Sequence, residues 1–320
     1  MSAGPPAAGR HPARGYLLAA AAAAMWSLNG SLARFLLDDD IAATRLSQLR
    51  SAGSCLLLLI ALGLFRRDLL RVERRDVAPL AFLGIAGLAL VHATYFIAID
   101  RIQIGVALTI QYLAPLLLLL WLWLVHRRRL QPSLWGAVAL SVAGCFLVVR
   151  AYDAGSLDGI GVLAAFGAAV TFALYLVAAE RAGHDHAPVT TLVWAFGFAS
   201  LFWAIVTPWW SFPFDEFRSA DHILLGLGVV VIGTLLPFVC IVEALRHIPA
   251  PRAAVVATLE PVLAAVFAYF IHDESLAAVQ IAGGGAVLAA VVWVQSRRPD
   301  LQAELAPRRH QGIARDFQRG

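Results

Sequence analysis

Ten apolar stretches, each about as long as a bilayer is thick, follow one another along nearly the whole chain. A helix needs roughly 20 mainly apolar residues, at about 1.5 Å rise each, to cross the hydrocarbon core. The stretches near 15–37, 41–65, 77–99, 103–125, 133–150, 157–180, 187–208, 221–244, 250–271 and 275–295 meet that length, and the links between them are short. Cuts fall at Asp100-Arg101 and Arg246-His247, because a single helix through either place would outrun any bilayer. Pro and Gly inside several stretches do not exclude spanning helices, since neighbouring helices re-satisfy the freed backbone groups. The fold class expected is therefore all-α integral membrane, with ten transmembrane helices. Charged residues make up only 14% of the chain, against about 25% in soluble domains, too few to solvate a globular surface of this size. The Ala-rich run behind Arg10 and Arg14 has the outline of a signal peptide. It continues through Trp26 to Leu37, and nine further stretches follow, so it is read as a retained helix. Cys55, Cys145 and Cys240 lie inside apolar runs without metal-ligand spacing and are read as core residues.

Charge placement gives the orientation. Arg10 and Arg14 precede the first stretch; Arg66, Arg67, Arg71, Arg74 and Arg75 fill the second link, and Arg127, Arg128 and Arg129 the fourth. Arg181 stands in the sixth link, Arg246 and Arg252 in the eighth, and six further arginines in the tail. The alternate links hold only Arg101, Arg150 and Arg218, together with acids such as Asp38, Asp39, Asp40, Asp215, Glu216, Asp273 and Glu274. Positive residues stay inside, so both termini are expected in the cytoplasm, as an even number of spans also requires. The positive net charge thus needs no nucleic-acid partner. Residues 1–14 and 297–320 read as a disordered N-terminal tail and a basic C-terminal tail.

A gapless shift of 146 residues superposes the two halves. Gly15 falls on Gly161, Leu28 on Leu174, Thr44 on Thr190, Gly87 on Gly233, Ala98 on Ala244, Ile102 on Ile248, Leu113 on Leu259 and Pro115 on Pro261. Every stretch and link comes into register, which divides the chain into five-helix repeats at 15–150 and 157–296. Five is odd, so the second repeat enters the membrane upside down, and basic Arg127-Arg128-Arg129 accordingly meets Asp273-Glu274-Ser275. Inverted repeats are a common plan of secondary transporters, because each half can adopt the conformation of the other and so exchange the open side.

The motifs resemble the EamA-type permeases of the drug/metabolite transporter superfamily. Met25 to Gly30 is similar to that family's "W-G/S-x-N" start, and Leu49 to Ala52 to its "R-x-x-x-A" segment. Ala107 to Pro115 and Ala253 to Pro261 resemble its "A-x-x-x-x-x-L-x-P" helix, and Glu274 with Gln280 to Gly283 its closing element. Arg128 stands where many relatives keep an acid. The resemblance covers about 15–296 and implies a ten-helix permease or exporter of amino acids, their derivatives or similar metabolites in the bacterial inner membrane.

Polar groups in the bilayer are costly and face a cavity or a partner, about 2.5–3.5 kcal/mol for a central Arg or Asp. Arg50 sits deep in the second stretch, either as a structural cation on carbonyls of a neighbouring helix or as the group that attracts a substrate carboxylate. Glu260 precedes Pro261, which opens the ninth helix locally; Pro115 does the same in the fourth. Paired interruptions point to a central site. Glu260 reads either as a structural acid or as a functional one, the latter a proton-coupling carboxylate or a partner for a substrate ammonium. His92 and Tyr95 share a helix face and, with Gln111 and Tyr112, can line a polar cavity. Trp26, Asn29, Tyr175, Trp194 and Thr258 complete the candidate substrate-binding set. The partners expected are a small-molecule substrate and the lipid bilayer, with proton coupling open. No cofactor and no metal site is expected; His184-Asp185-His186 reads as a solvated polar loop. An integral-membrane enzyme or a channel-like facilitator are the competing readings.

Overall fold

The structure is a computed structural model that describes residues 11–39, 41–125, 127, 130–153, 158–272 and 277–296. Residues 1–10 and 297–320, Arg128, Asp273 and Glu274 lie outside the described residues, while residues 12–14, expected in the N-terminal tail, are already helical. Helices α1 (Pro12–Asp38), α2 (Ala43–Phe65) and α3 (Arg74–Ile99) are followed by α4, which runs Ile104–Gln111 and resumes at Ala114–Leu124. Helix α5 is Pro132–Val148; α6 (Gly159–Asp185), α7 (Pro188–Val206) and α8 (Ala220–Leu245) follow. Helix α9 runs Ala250–Ala257 and then Leu259–His272, and α10 is Ala278–Ser296. Among the described residues nine stretches are long and apolar enough to cross a membrane, and α5, at 17 residues, is a shorter apolar helix. Local chemistry sets several starts. Pro occupies the first turn of α1, α5 and α7, where its missing N–H costs nothing. The Asp158 side chain caps α6 by accepting from the Gly161 N–H at 2.8 Å, and Ser219 caps α8 by accepting from the His222 N–H at 3.1 Å.

The main packing pairs are kept when helix n is exchanged for helix n+5. Helix α1 packs on α8 and α9, and α6 packs on α3 and α4. The two self-paired contacts are α2 on α7 and α5 on α10. Individual residues obey the same exchange. A Cβ on Gly15 would meet Ile248 Cγ2 at 2.9 Å, and one on Gly161 would meet Ile102 Cγ2 at 2.8 Å; both pairs are 146 apart. The first helix of each half is thus wedged into the other half, its backbone brought close by a glycine.

Two features depart from straight helices in symmetric places. Helix α4 breaks at Tyr112-Leu113 and α9 at Thr258, where Leu113 N–H and Thr258 N–H reach back only three residues, to Ile110 O at 3.0 Å and Val255 O at 3.2 Å. These tight turns stand two and three residues ahead of Pro115 and Pro261, as expected where a proline forbids the next regular bond. Helices α3 and α8 each contain a π segment, Leu83–Ala89 and Val231–Leu235. Gly87 and Gly233, one in each segment, are repeat mates, and such wide turns are rare and tend to mark functional places.

Three expectations change. Helix α6 continues to Asp185, so His184 and Asp185 end a helix and the link to α7 is two residues long. Arg252 is no loop residue: it lies in the first turns of α9, fully buried, with its Nη1 donating to the Tyr16 hydroxyl at 3.1 Å. Arg45, near a span end where a long cation is expected to reach for solvent, instead donates to Gln48 Oε1, Pro208 O and Ser211 Oγ at 3.0, 3.1 and 2.7 Å, which ties α2 to the segment after α7.

Candidate substrate-binding site

Both broken helices and both π helices converge on a central cavity of about 190 Å³. Trp26 and Gly30 of α1 border it, with Gly87, Val91, His92 and Tyr95 of α3 and Leu108 and Gln111 of α4. The second half contributes Phe172 and Tyr175 of α6, Phe238 of α8 and Glu260 of α9. Among the described residues, α2 and α7 supply nothing to the wall. The larger groove of about 780 Å³ between α3, α4 and α6 is mostly apolar and opens at Asp76, Arg181 and His186.

Of the residues singled out in the sequence, Trp26, His92, Tyr95, Gln111, Tyr175 and Glu260 meet here. Glu260 opens the resumed half of α9, just past the turn at Thr258, and the Tyr112 hydroxyl donates to its carboxylate. Tyr112 is itself fully buried behind the wall. The backbone beneath Glu260 is held from α1, where the Ser27 hydroxyl lies 2.8 Å from Glu260 O and 2.6 Å from Ala23 O and shares its one proton between the two carbonyls. His92 Nδ1 lies 2.8 Å from Leu88 O; a carbonyl only accepts, so Nδ1 carries a proton. Two wall atoms, Gln111 Oε1 and the Tyr175 hydroxyl, are buried without a hydrogen-bond partner, a costly state in a medium of low dielectric.

Other candidates stand apart. Arg50 is directed at the π segment of α8: its Nε donates to Thr234 Oγ1 at 2.7 Å and its Nη2 to Gly233 O at 3.3 Å. It does not border the cavity, although its charge acts on both Glu260 and His92. Asn29 presses on the same segment, and a Cβ on Gly233 would overlap its amide. Thr258 is buried in the α9 turn and donates to Val255 O at 2.6 Å. Trp194 lies on α7, where its Nε1 donates to Leu70 O at 3.1 Å and its ring borders a separate apolar groove with Cys55 and Phe198. The sequence reading omitted Phe172 and Phe238, whose rings form the apolar corner with Trp26 and Tyr175. Trp26 and Phe238 meet edge to face at 5.4 Å, and Tyr175 and Phe238 at 5.5 Å. The shift of 146 residues would have found both, since Phe172 is the mate of Trp26 and Phe238 the mate of His92. Among the described residues no group of three or more His, Cys, Asp or Glu side chains could hold a metal.

Comparison with known proteins agrees with this architecture. The sequence profile of the EamA-like transporter family matches twice, over residues 13–150 and 159–295. The threonine/homoserine exporter RhtA of Escherichia coli K12 is 30% identical over 239 residues, 72% of this chain and 76% of that protein. The uncharacterized inner membrane transporter YicL of Salmonella typhimurium LT2 is 23% identical over 296 residues, 89% of this chain and 97% of that one. A solved crystal structure superposes with a TM-score of 0.72 over 89% of this chain and 97% of its own, at 18% identity, which shows a shared fold. The two profile matches, one to each half of the exchange-symmetric packing, place the chain in the EamA-like transporter family, as a multi-pass inner-membrane transporter of the drug/metabolite type.

Proposed function

We propose that the chain is a secondary active transporter that exports small amino-bearing metabolites by alternating access. In this reading it has ten membrane crossings as two inverted five-helix repeats, 15–150 and 157–296, with both termini in the cytoplasm. Helix α5, about 25 Å long at 1.5 Å per residue, serves as the tenth crossing; it packs along the full-length α10, and a short span is accommodated by local thinning. The observation that carries the proposal is the position of the cavity. It lies where the broken helices α4 and α9 meet α3 and α8, the two helices that carry π segments, and both halves build its wall. A bistable assembly of two exchangeable halves needs its binding site there. Amino acids enter as the substrate class because the relative RhtA is named a threonine/homoserine exporter and because the wall joins one carboxylate to several polar groups. Glu260 then serves as proton-coupling acid or as partner of the substrate ammonium, and Arg50 steadies the π segment of α8 while biasing the cavity field.

Flux of labelled threonine in proteoliposomes, with and without an imposed pH gradient, tests this. Saturable flux that the gradient accelerates is expected. Flux proportional to concentration at all concentrations refutes the carrier in favour of a facilitator, and chemical conversion without flux refutes transport altogether.

A further inference from the structure

The cavity wall is lopsided in charge. Its one charged group is the Glu260 carboxylate, and no Lys or Arg side chain among the described residues borders it. Gln111 Oε1 can only accept, and it has no partner. The Tyr175 hydroxyl is likewise unpartnered and retains acceptor capacity. His92 donates through Nδ1 to Leu88 O, so the Nε2 of the neutral ring is a further acceptor. The guanidinium closest in charge, Arg50, has its Nε and Nη2 committed to Thr234 and Gly233. In the same wall, the rings of Trp26 and Phe238 and of Tyr175 and Phe238 meet near perpendicular, with interplanar angles of 70° and 81°. Aromatic faces attract cations by about 0.5–1 kcal/mol at exposed sites and about 2 kcal/mol when desolvated.

An ammonium group has three N–H donors and no acceptor. It fits this wall on two counts: an anionic partner, Glu260, and an aromatic corner. A carboxylate placed against the same wall would face Glu260 and leave Gln111 Oε1 unpaired, and desolvating that repulsion is expensive. The volume of about 190 Å³ suits a ligand of roughly six to eight non-hydrogen atoms, at about 30 Å³ per water-sized group. We propose that this cavity recognises its substrate through the ammonium group and does not require a carboxylate, so that small primary amines are ligands alongside amino acids. This rests on the reading of the cavity as the transport site.

The test is competition against labelled threonine in proteoliposomes by two compounds that each lack one end of it: 1-amino-2-propanol, without the carboxylate, and N-acetylthreonine, without the ammonium. The amine is expected to compete within about tenfold of threonine, and the acetylated compound at least about thirtyfold more weakly. Phe238→Leu, which keeps an apolar side chain and removes the ring, is expected to weaken the amine about fivefold. Equal competition by N-acetylthreonine, or none by the amine, overturns the proposal and leaves amino-acid transport standing. If threonine is not carried, calorimetry of 1-amino-2-propanol with the full-length protein in nanodiscs decides. Binding upholds ammonium recognition while the amino-acid reading falls; no binding ends both.

Discussion

Gly233→Ala adds one methyl group where the π segment of α8 touches α1. The new Cβ would overlap Oδ1 and Cγ of Asn29, and would lie 2.9 Å from Asn29 Cβ. Carbon atoms sit best about 3.5–4.0 Å apart, so the amide must swing away and the two helices must part by more than about half an ångström. Forced methyl groups in packed cores typically cost about 1–3 kcal/mol. Three overlapping atoms put this one at the upper end, and the better helix propensity of Ala returns at most about 1 kcal/mol. A net cost of about 2 kcal/mol on this packing is expected, which is roughly a thirtyfold change in an equilibrium. The assay is threonine flux in proteoliposomes together with the melting midpoint of the purified protein. Gly228→Ala is the matched control, because its Cβ would find only Leu32 Cδ1 at an ordinary 3.6 Å on the same interface. Adding Asn29→Ala to Gly233→Ala removes the two worst overlaps and is expected to recover most of the melting loss. Recovery is read in melting because Asn29 is itself a site candidate. If Gly233→Ala melts and transports like Gly228→Ala, or if the second substitution recovers nothing, then the tight apposition at Asn29 is not what holds α8 against α1.

Substitutions at three further residues probe the site and its supports. Glu260→Gln keeps the shape and removes the charge; hydrogen bonds to charged groups are worth about 1.5–3 kcal/mol, so flux under a pH gradient is expected to fall about 10- to 100-fold at normal membrane expression, and full flux would remove Glu260 from the mechanism. Arg50→Lys cannot reproduce a planar fork spanning Thr234 Oγ1 and Gly233 O, and the melting midpoint is expected to drop by several degrees, roughly 2–4 °C per kcal/mol; an unchanged midpoint argues that the pair is idle. Arg252→Ala empties a fully buried site and is expected to cost about 2–5 kcal/mol, seen as loss of monodisperse protein on gel filtration, while Arg252→Met fills the space and is expected to recover much of the yield. Equal yields from the two would mean that the charge, not the packing, is what matters.

Much of this architecture was legible in the chain because the bilayer imposes a length on every crossing and proline imposes a break. Pro115 and Pro261 announced the turns at Tyr112 and Thr258, and the repeat announced that these two turns correspond. The π segments left no such mark. Gly87 and Gly233 are ordinary in apolar helices, and a wide turn follows from what presses on the helix, here Tyr175 and Asn29, rather than from the residues inside it. The cavity was half legible. Polar residues at His92, Tyr95, Gln111 and Glu260 advertise themselves against an apolar background, whereas Phe172 and Phe238 look like any lipid-facing phenylalanine until their neighbours are known. Arg252 misled for the opposite reason. A charge near a span end reads as solvent-facing, and only the tertiary partner on α1, Tyr16, turned it inward.

The wedging of α1 between α8 and α9 has a consequence for biogenesis. The bond from Ser27 to Glu260 joins residues 233 apart in sequence. At about 5–20 residues per second of synthesis, α1 waits roughly 10–50 s in the membrane before the surface that it packs against exists. During that interval its small-residue face is open to the wrong neighbours. Late closure of so many long-range contacts predicts slow folding, and it makes the unfinished five-helix half, rather than the completed protein, the species that quality-control proteases meet first.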